Sequence, residues 1–282
     1  MSAETIIRGL TIGSLSGLLF SVGLRLTVHQ VIASLRGCRL GIIVAVNFIV
    51  IPALAVIATR LGHLGTDISL GILVLAAAPF APVVPVFTRM ARADLALAAG
   101  LTTLFPLLSV ILTPLVLHLA LQALPDARAI RFPTGEILLT LVATIAFPLG
   151  LGMAVKHFSS HVARSILRLV EIISEGTGAL SLAFVSVTEW PLILSLGWPA
   201  LLVMIALGEV SMIIGWLIGG PADATRRVVA FGTNNRNIAL AILIAIQSFP
   251  GTPAVAAVVA NGLLLILLGL LHVAWWRSNP GK

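Results

Sequence analysis

The segment RRVVAFGTNNRNIALAILIA (226–245) holds one guanidinium and several amides inside a run that is otherwise apolar. Arg236 supplies a fixed positive charge. Thr233, Asn234, Asn235 and Asn237 supply a hydroxyl and amide donors and acceptors within four residues of one another. These groups suit binding, not bond breaking. They can neutralise an anion, stand in for a bound cation, solvate unwound backbone, or bond a neighbouring helix. Two acids lie in other apolar runs, Glu209 and Glu175. Glu209 is a candidate salt-bridge partner for Arg236. Glu175 is a candidate proton carrier, or a partner for Arg168 or for backbone. Motifs for nucleophilic, phosphate-binding or zinc-dependent catalysis are missing, which disfavours an enzyme.

The elements that carry these residues follow from composition. Of 282 residues, 59% are hydrophobic and 10% charged, and the mean hydropathy is +1.13. An ordinary soluble domain has about 25% charged residues. The apolar content excludes disorder. Continuous runs without Tyr argue against a membrane barrel. A helix crosses a bilayer with about 20 apolar residues, and nine runs qualify: 6–27, 39–60, 67–89, 94–121, 134–155, 164–187, 197–219, 225–247 and 251–275. The reading is an all-α polytopic membrane protein formed by one transmembrane domain over 1–282. The first run is too long, and too close to the next, for a removable signal peptide.

The net charge of +7 orients the chain and does not signal nucleic acid. Arg25, Arg36, Arg39, Arg89, Arg92, Lys156, Arg164, Arg168, Arg226, Arg227, Arg277 and Lys282 fall on one side, and Arg8, Arg60, Arg128 and Arg131 on the other. Cations concentrate on the cytosolic side. The expected topology therefore has the N-terminus outside and the C-terminus in the cytosol, in a plasma or bacterial inner membrane. Cys38, the single cysteine, reads as a free thiol in a loop. The six histidines have no ligand spacing, and no metal site is expected.

Two runs should be broken. Pro79, Pro82 and Pro85 interrupt the third; each proline removes a donor and crowds the carbonyl four residues earlier. Gly232 to Asn237 interrupt the eighth. Irregular backbone at that depth survives only inside protein or beside a wet cavity. With 6–121 and 164–275 taken as four-helix units linked by 134–155, the broken runs stand third in each, and the units have opposite topology. That is the pattern of an inverted-repeat secondary carrier with its site where the broken helices cross. Pro82, Gly232 and Thr102 join the candidate site. Thr102 could instead bond only its own helix, and Asp94 should cap the helix that follows it.

These residues bear a family resemblance. GTNNRNIALAILIA resembles the crossover helix of the bile acid:sodium symporter family. MARADLALAAGLTTLFPLLSVILTPL is similar to that family's L-A-x-G-D-x-A-L-S stretch and the Thr-containing helix after it. LLFSVGLRLTVHQVIASLRGCRLGIIVAVNFIVIPALAVI is similar to its opening M-G-L-x-L-T motif and proline-ended helix, and ADATRRVVAFGT to its basic loop before the second crossover. The matches touch about half the chain, in order. The resemblance implies a core domain with two crossing broken helices, a panel domain, elevator-like or rocking alternating access, and nine helices where the usual first of ten is absent.

The departures concern sodium. Where the resemblance places a Ser-Asn pair at the first break, this chain has Val84 and Pro85. A ligating hydroxyl aligns with Ala98, with Thr102 kept. The acid shared by both sodium sites aligns with Gly232, and a ligating Gln with Arg236. The fold is expected to be kept and the sodium sites largely lost. The related arsenite carriers use a Cys in the first break, and none is there. The reading is therefore a carrier for a small organic anion, binding no cofactor, with coupling to protons through Glu209 or Glu175, residual sodium coupling, or none. The alternative is a non-transporting membrane sensor or interaction protein on a degenerate carrier fold. The oligomeric state is not legible from the chain.

Overall fold

The computed structural model describes residues 2–124 and 132–278. Arg128, Arg131 and Lys282 of the charge count lie outside the described residues. The described chain is helical: α1 Ala3–Arg25, α2 Val28–Ser34, α3 Leu40–Leu61, α4 Thr66–Ala76, α5 Val84–Met90, α6 Leu95–Ala123, α7 Thr134–Phe158, α8 Ser160–Thr188, α9 Trp190–Leu194, α10 Gly197–Ile218, α11 Asp223–Asn234, α12 Ile238–Ser248 and α13 Ala254–Ser278. Among the described residues, eight helical segments are long and apolar enough to cross a membrane, α11 and α12 counting as one. The third run, 67–89, is not among them, because it is divided into α4 and α5. The protein is a polytopic helical membrane protein, with side chains such as Ile49, Leu139, Leu169 and Leu217 more than half exposed on its outer faces. In water such a surface would be an aggregation liability; in a bilayer it is the lipid contact.

Helix ends follow local rules. Ser2 accepts from the Thr5 amide ahead of α1, and Asp94 accepts from the Ala96 and Leu97 amides at 2.9 and 3.0 Å, capping α6 as expected. Within α3 and α7 a wide π turn, at Val46–Val50 and Val142–Ala146, comes just ahead of Pro52 and Pro148. A proline cannot donate to the carbonyl four residues back. For Pro148 that carbonyl is Thr144, and Ser16 of α1 donates to it at 3.3 Å.

Two groups of helices result. α1 lies along α7 and α8, where Gly23 and Gly152 let the backbones of α1 and α7 touch; a Cβ at either would strike the other helix. The second group holds α3, α4, α5, α6, α10, α11, α12 and α13. There α10 packs on α11 and α4 on α13, with the broken helices at the centre. Leu240 through Ile246 of α12 are all buried.

Candidate functional site

The two breaks meet. Residues 77–83 separate α4 from α5, and 235–237 separate α11 from α12. They are laced by backbone hydrogen bonds: Phe80 N–H donates to Gly232 O at 3.3 Å, Ala81 N–H to Asn235 O at 3.0 Å, and Asn237 N–H to Ala78 O at 2.7 Å. Each break thus supplies donors and acceptors that the other lacks, as buried backbone requires. α11 is 12 residues long, so at 1.5 Å per residue the crossing lies about 18 Å inside its end, near mid-bilayer.

Three successive carbonyls at the end of α4 find three different donors. Arg236 Nη1 donates to Ala76 O at 3.0 Å, Thr113 Oγ1 to Ala77 O at 2.7 Å, and the Asn237 amide to Ala78 O. Arg236 Nη1 also reaches Asn47 O at 3.5 Å, a carbonyl in the π turn of α3. A cation at a helix C-terminus meets the negative end of its dipole. Arg236 is only 4% exposed. Its hydrogen bonds run to the last carbonyl of α4 and to one in the π turn of α3.

The expected Arg236–Glu209 salt bridge does not form. Glu209 stands 3.5 Å from His272 of α13, with about a third of its side chain exposed. The adjacent face of α10, with Leu207 and Ser211, is the one turned to the buried interior. Glu209 therefore points off that face, while the hydrogen bonds of Arg236 run to α4 and α3.

The other expected residues divide. Thr233 is fully buried and accepts from Asn47 Nδ2 at 3.2 Å. Asn234 Nδ2 donates to Leu265 O at 3.1 Å, a bond to α13. Asn235 Nδ2 donates to Phe231 O at 3.2 Å within its own helix. Thr102 does the same, donating to Ala98 O at 2.7 Å, and it does not reach the crossing by any bond. Asn237 caps α12, its Oδ1 accepting from the Leu240 amide at 3.1 Å, while its Nδ2 is buried without a partner. Gly232 lies directly under the Phe80 ring, and a Cβ at 232 would overlap that ring. Phe80 holds φ at +55°, unusual for a bulky residue, and stacks on Phe105 at 4.1 Å, which stacks on Phe48 at 5.7 Å.

A cavity of about 380 Å³ opens beside the crossing, between the two helix groups. Pro82, Arg236 and Asn237 line its core side, with the first turn of α12. Glu175 and Ser181 of α8 and Thr11 and Ser14 of α1 line the other. Thr11 and Ser181 share a hydrogen bond of 2.9 Å, and Ser14 Oγ donates to Ser174 O at 3.0 Å. The rest of the lining is mostly aliphatic. First-turn amides have no acceptor within their own helix, so Ile238 and Ala239 bring donors to this wall, with the positive end of the α12 dipole. A small anion with an apolar body fits such a wall. Sequence reasoning missed Asn47, Asn261, Phe80 and the α1 hydroxyls. Asn47 and Asn261 carried the same signal as Asn234, an amide inside an apolar run.

The family model described as "Sodium Bile acid symporter family" matches residues 14–196. That is well over half of the chain, and the chain belongs to this family. The match covers the first break, the cavity-lining stretch of α8 and that of α1 from Ser14 onward; Thr11 and the second break lie outside it. No curated protein matches the chain. The protein is therefore a membrane-embedded transporter of the bile acid:sodium symporter type, from a family of carriers rather than enzymes.

Proposed function

We propose that the protein is a secondary active carrier of a small organic anion with an apolar body, working by alternating access and not strictly dependent on sodium. The observation that carries the reading is the cavity between the two helix groups, with the α12 N-terminus and Asn237 at its wall. The anionic head would lie against those donors, with Arg236 adding positive field from behind and Thr11, Ser14 and Ser181 offering further hydrogen bonds. Relative movement of the α1–α7–α8 group against the core would carry the cavity from one side to the other, and the crossing is where an inverted repeat would put it.

Space and charge at the second break both disfavour a bound sodium ion. The position expected to bear the shared carboxylate is Gly232, and the Phe80 ring fills the volume into which a side chain would project. The position expected to bear a ligating amide is Arg236, whose charge already satisfies carbonyls at the break. A hard cation wants several oxygens, commonly with a carboxylate. Glu175, a carboxyl on the cavity wall with no hydrogen-bond or ion-pair partner among the described residues, is the candidate for proton coupling. The proposed orientation has the N-terminus outside and the C-terminus in the cytosol.

The test is a thermal-shift screen of purified protein against small organic anions, followed by uptake of each stabilising anion into proteoliposomes. A ligand for the folded state raises its stability with occupancy. Uptake should persist without sodium and should fail in Glu175→Gln if protons drive it. Uptake only with a sodium gradient would overturn the coupling reading. Binding without any flux would favour the non-transporting sensor.

A further inference from the structure

Behind Arg236, away from the large cavity, lies a small chamber of about 10 Å³. Asn234, Asn261, Ser211 and Arg236 contribute its polar wall, and Leu75 and Leu265 are among its apolar neighbours. Three buried polar atoms of these residues find no partner among the described residues: Asn234 Oδ1, Asn261 Oδ1 and Arg236 Nη2. Their residues are 1%, 3% and 4% exposed. Orphaned groups of this kind each carry a desolvation penalty, and the three residues that bear them line one chamber.

We propose that this chamber is a binding site for a single neutral water molecule, which completes the coordination of Arg236. The chemistry selects the ligand by elimination. A cation is repelled by the guanidinium. An anion is repelled by two amide oxygens. An apolar molecule leaves all three groups unpaired. The volume is that of about one water-sized probe, the minimum for an ordered water with two to four polar partners. Donors and acceptors then balance: Nη2 donates to the water oxygen, and the two water hydrogens go to Asn234 Oδ1 and Asn261 Oδ1. The Asn234 amide cannot turn to avoid this, because its Nδ2 is held by Leu265 O at 3.1 Å.

With Nη1 on the Ala76 and Asn47 carbonyls and Nη2 on the water, the guanidinium belongs to the core domain. It is a positioning residue: it acts on a solute in the large cavity through its field, without leaving its cradle.

The direct test is a density map of the full-length protein in lipid nanodiscs, at a resolution that shows ordered waters. One peak is expected within hydrogen-bond distance of all three atoms. A map that shows other buried waters but none here, or Nη2 bonded directly to either amide oxygen, would overturn the site. The independent test compares Asn261→Ala with Asn261→Leu by melting temperature. In a dry chamber the larger apolar side chain refills the space, so Leu should be the better tolerated. With water bound, Ala leaves room for a second water in place of the lost oxygen, whereas Leu expels water and strands Nη2 and Asn234 Oδ1. The expected order is wild type, then Ala, then Leu lower by several degrees. Leu melting at or above Ala would sink the proposal. Neither test depends on the transported solute.

Discussion

At the scale of the residue, two positions hold the crossing together by opposite means. Gly232 does so by having no side chain. A methyl group there would overlap the Phe80 ring, and overpacking of this kind costs roughly 1–3 kcal/mol. Gly232→Ala should lower the melting temperature, and Phe80→Ala in the same chain should recover part of the loss. Additive losses in the double variant would mean that the ring and the glycine are not in contact. Arg236 acts by charge and reach. Arg236→Met would leave the buried carbonyls of Ala76 and Asn47 without their donor, at about 1–3 kcal/mol for each unsatisfied group. Arg236→Lys keeps the charge but cannot fork between two carbonyls and a third partner. Thermal unfolding in detergent should rank wild type above Lys and Lys above Met. Equal stability of all three would remove the capping role.

At the scale of the element, α12 has a start that both closes the second break and faces the large cavity. Asn237 ends the second break with its backbone amide on Ala78, opens α12 with its side chain on Leu240, and lines the large cavity. Asn237→Ala should lose the cap, about 1 kcal/mol. Asn237→Asp keeps a capping oxygen and adds a negative charge that the helix N-terminus favours. If the anion binds there, the Asp variant should melt near wild type yet transport poorly, because the carboxylate takes the place of the solute's own charge. Full transport by the Asp variant would move the anion elsewhere. The breaks themselves were legible in the chain, since three prolines at three-residue spacing and the GTNNRN run cannot continue a lipid-facing helix. The partner of Arg236 was not. It is set by a π turn in α3 that turns the Asn47 carbonyl inward, and by a left-handed Phe80 that fixes how the breaks interlock. Both are local departures from regular helix that apolar periodicity does not register. The Glu209 expectation failed for a related reason: neighbouring runs say which helices are close, but not which face of α10 turns toward the break.

At the scale of the whole molecule, the excess of cations in alternate loops becomes a statement about sidedness that the chain can test by itself. Cys38 lies between α2 and α3, in the first of the loops assigned to the cytosol, and it is the one cysteine. A membrane-impermeant maleimide should therefore leave it untouched in intact right-side-out vesicles and modify it once the vesicles are opened. Its chemistry adds a control. Burial pushes the Cys38 thiol above its ordinary value, outweighing the backbone hydrogen bonds that favour the thiolate. The thiolate is the species that reacts, so a raised pKa means a smaller reactive fraction at neutral pH than an exposed cysteine has. Labelling of opened vesicles should be slow at pH 7 and should climb about tenfold per pH unit, continuing past the pH at which a free thiol levels off. Denaturant should abolish that lag without altering the final extent. Labelling of sealed vesicles at the same rate as opened ones would reverse the topology. It would also exchange the two faces to which the cavity between the helix groups must open, while leaving the crossing and its bonds as they are.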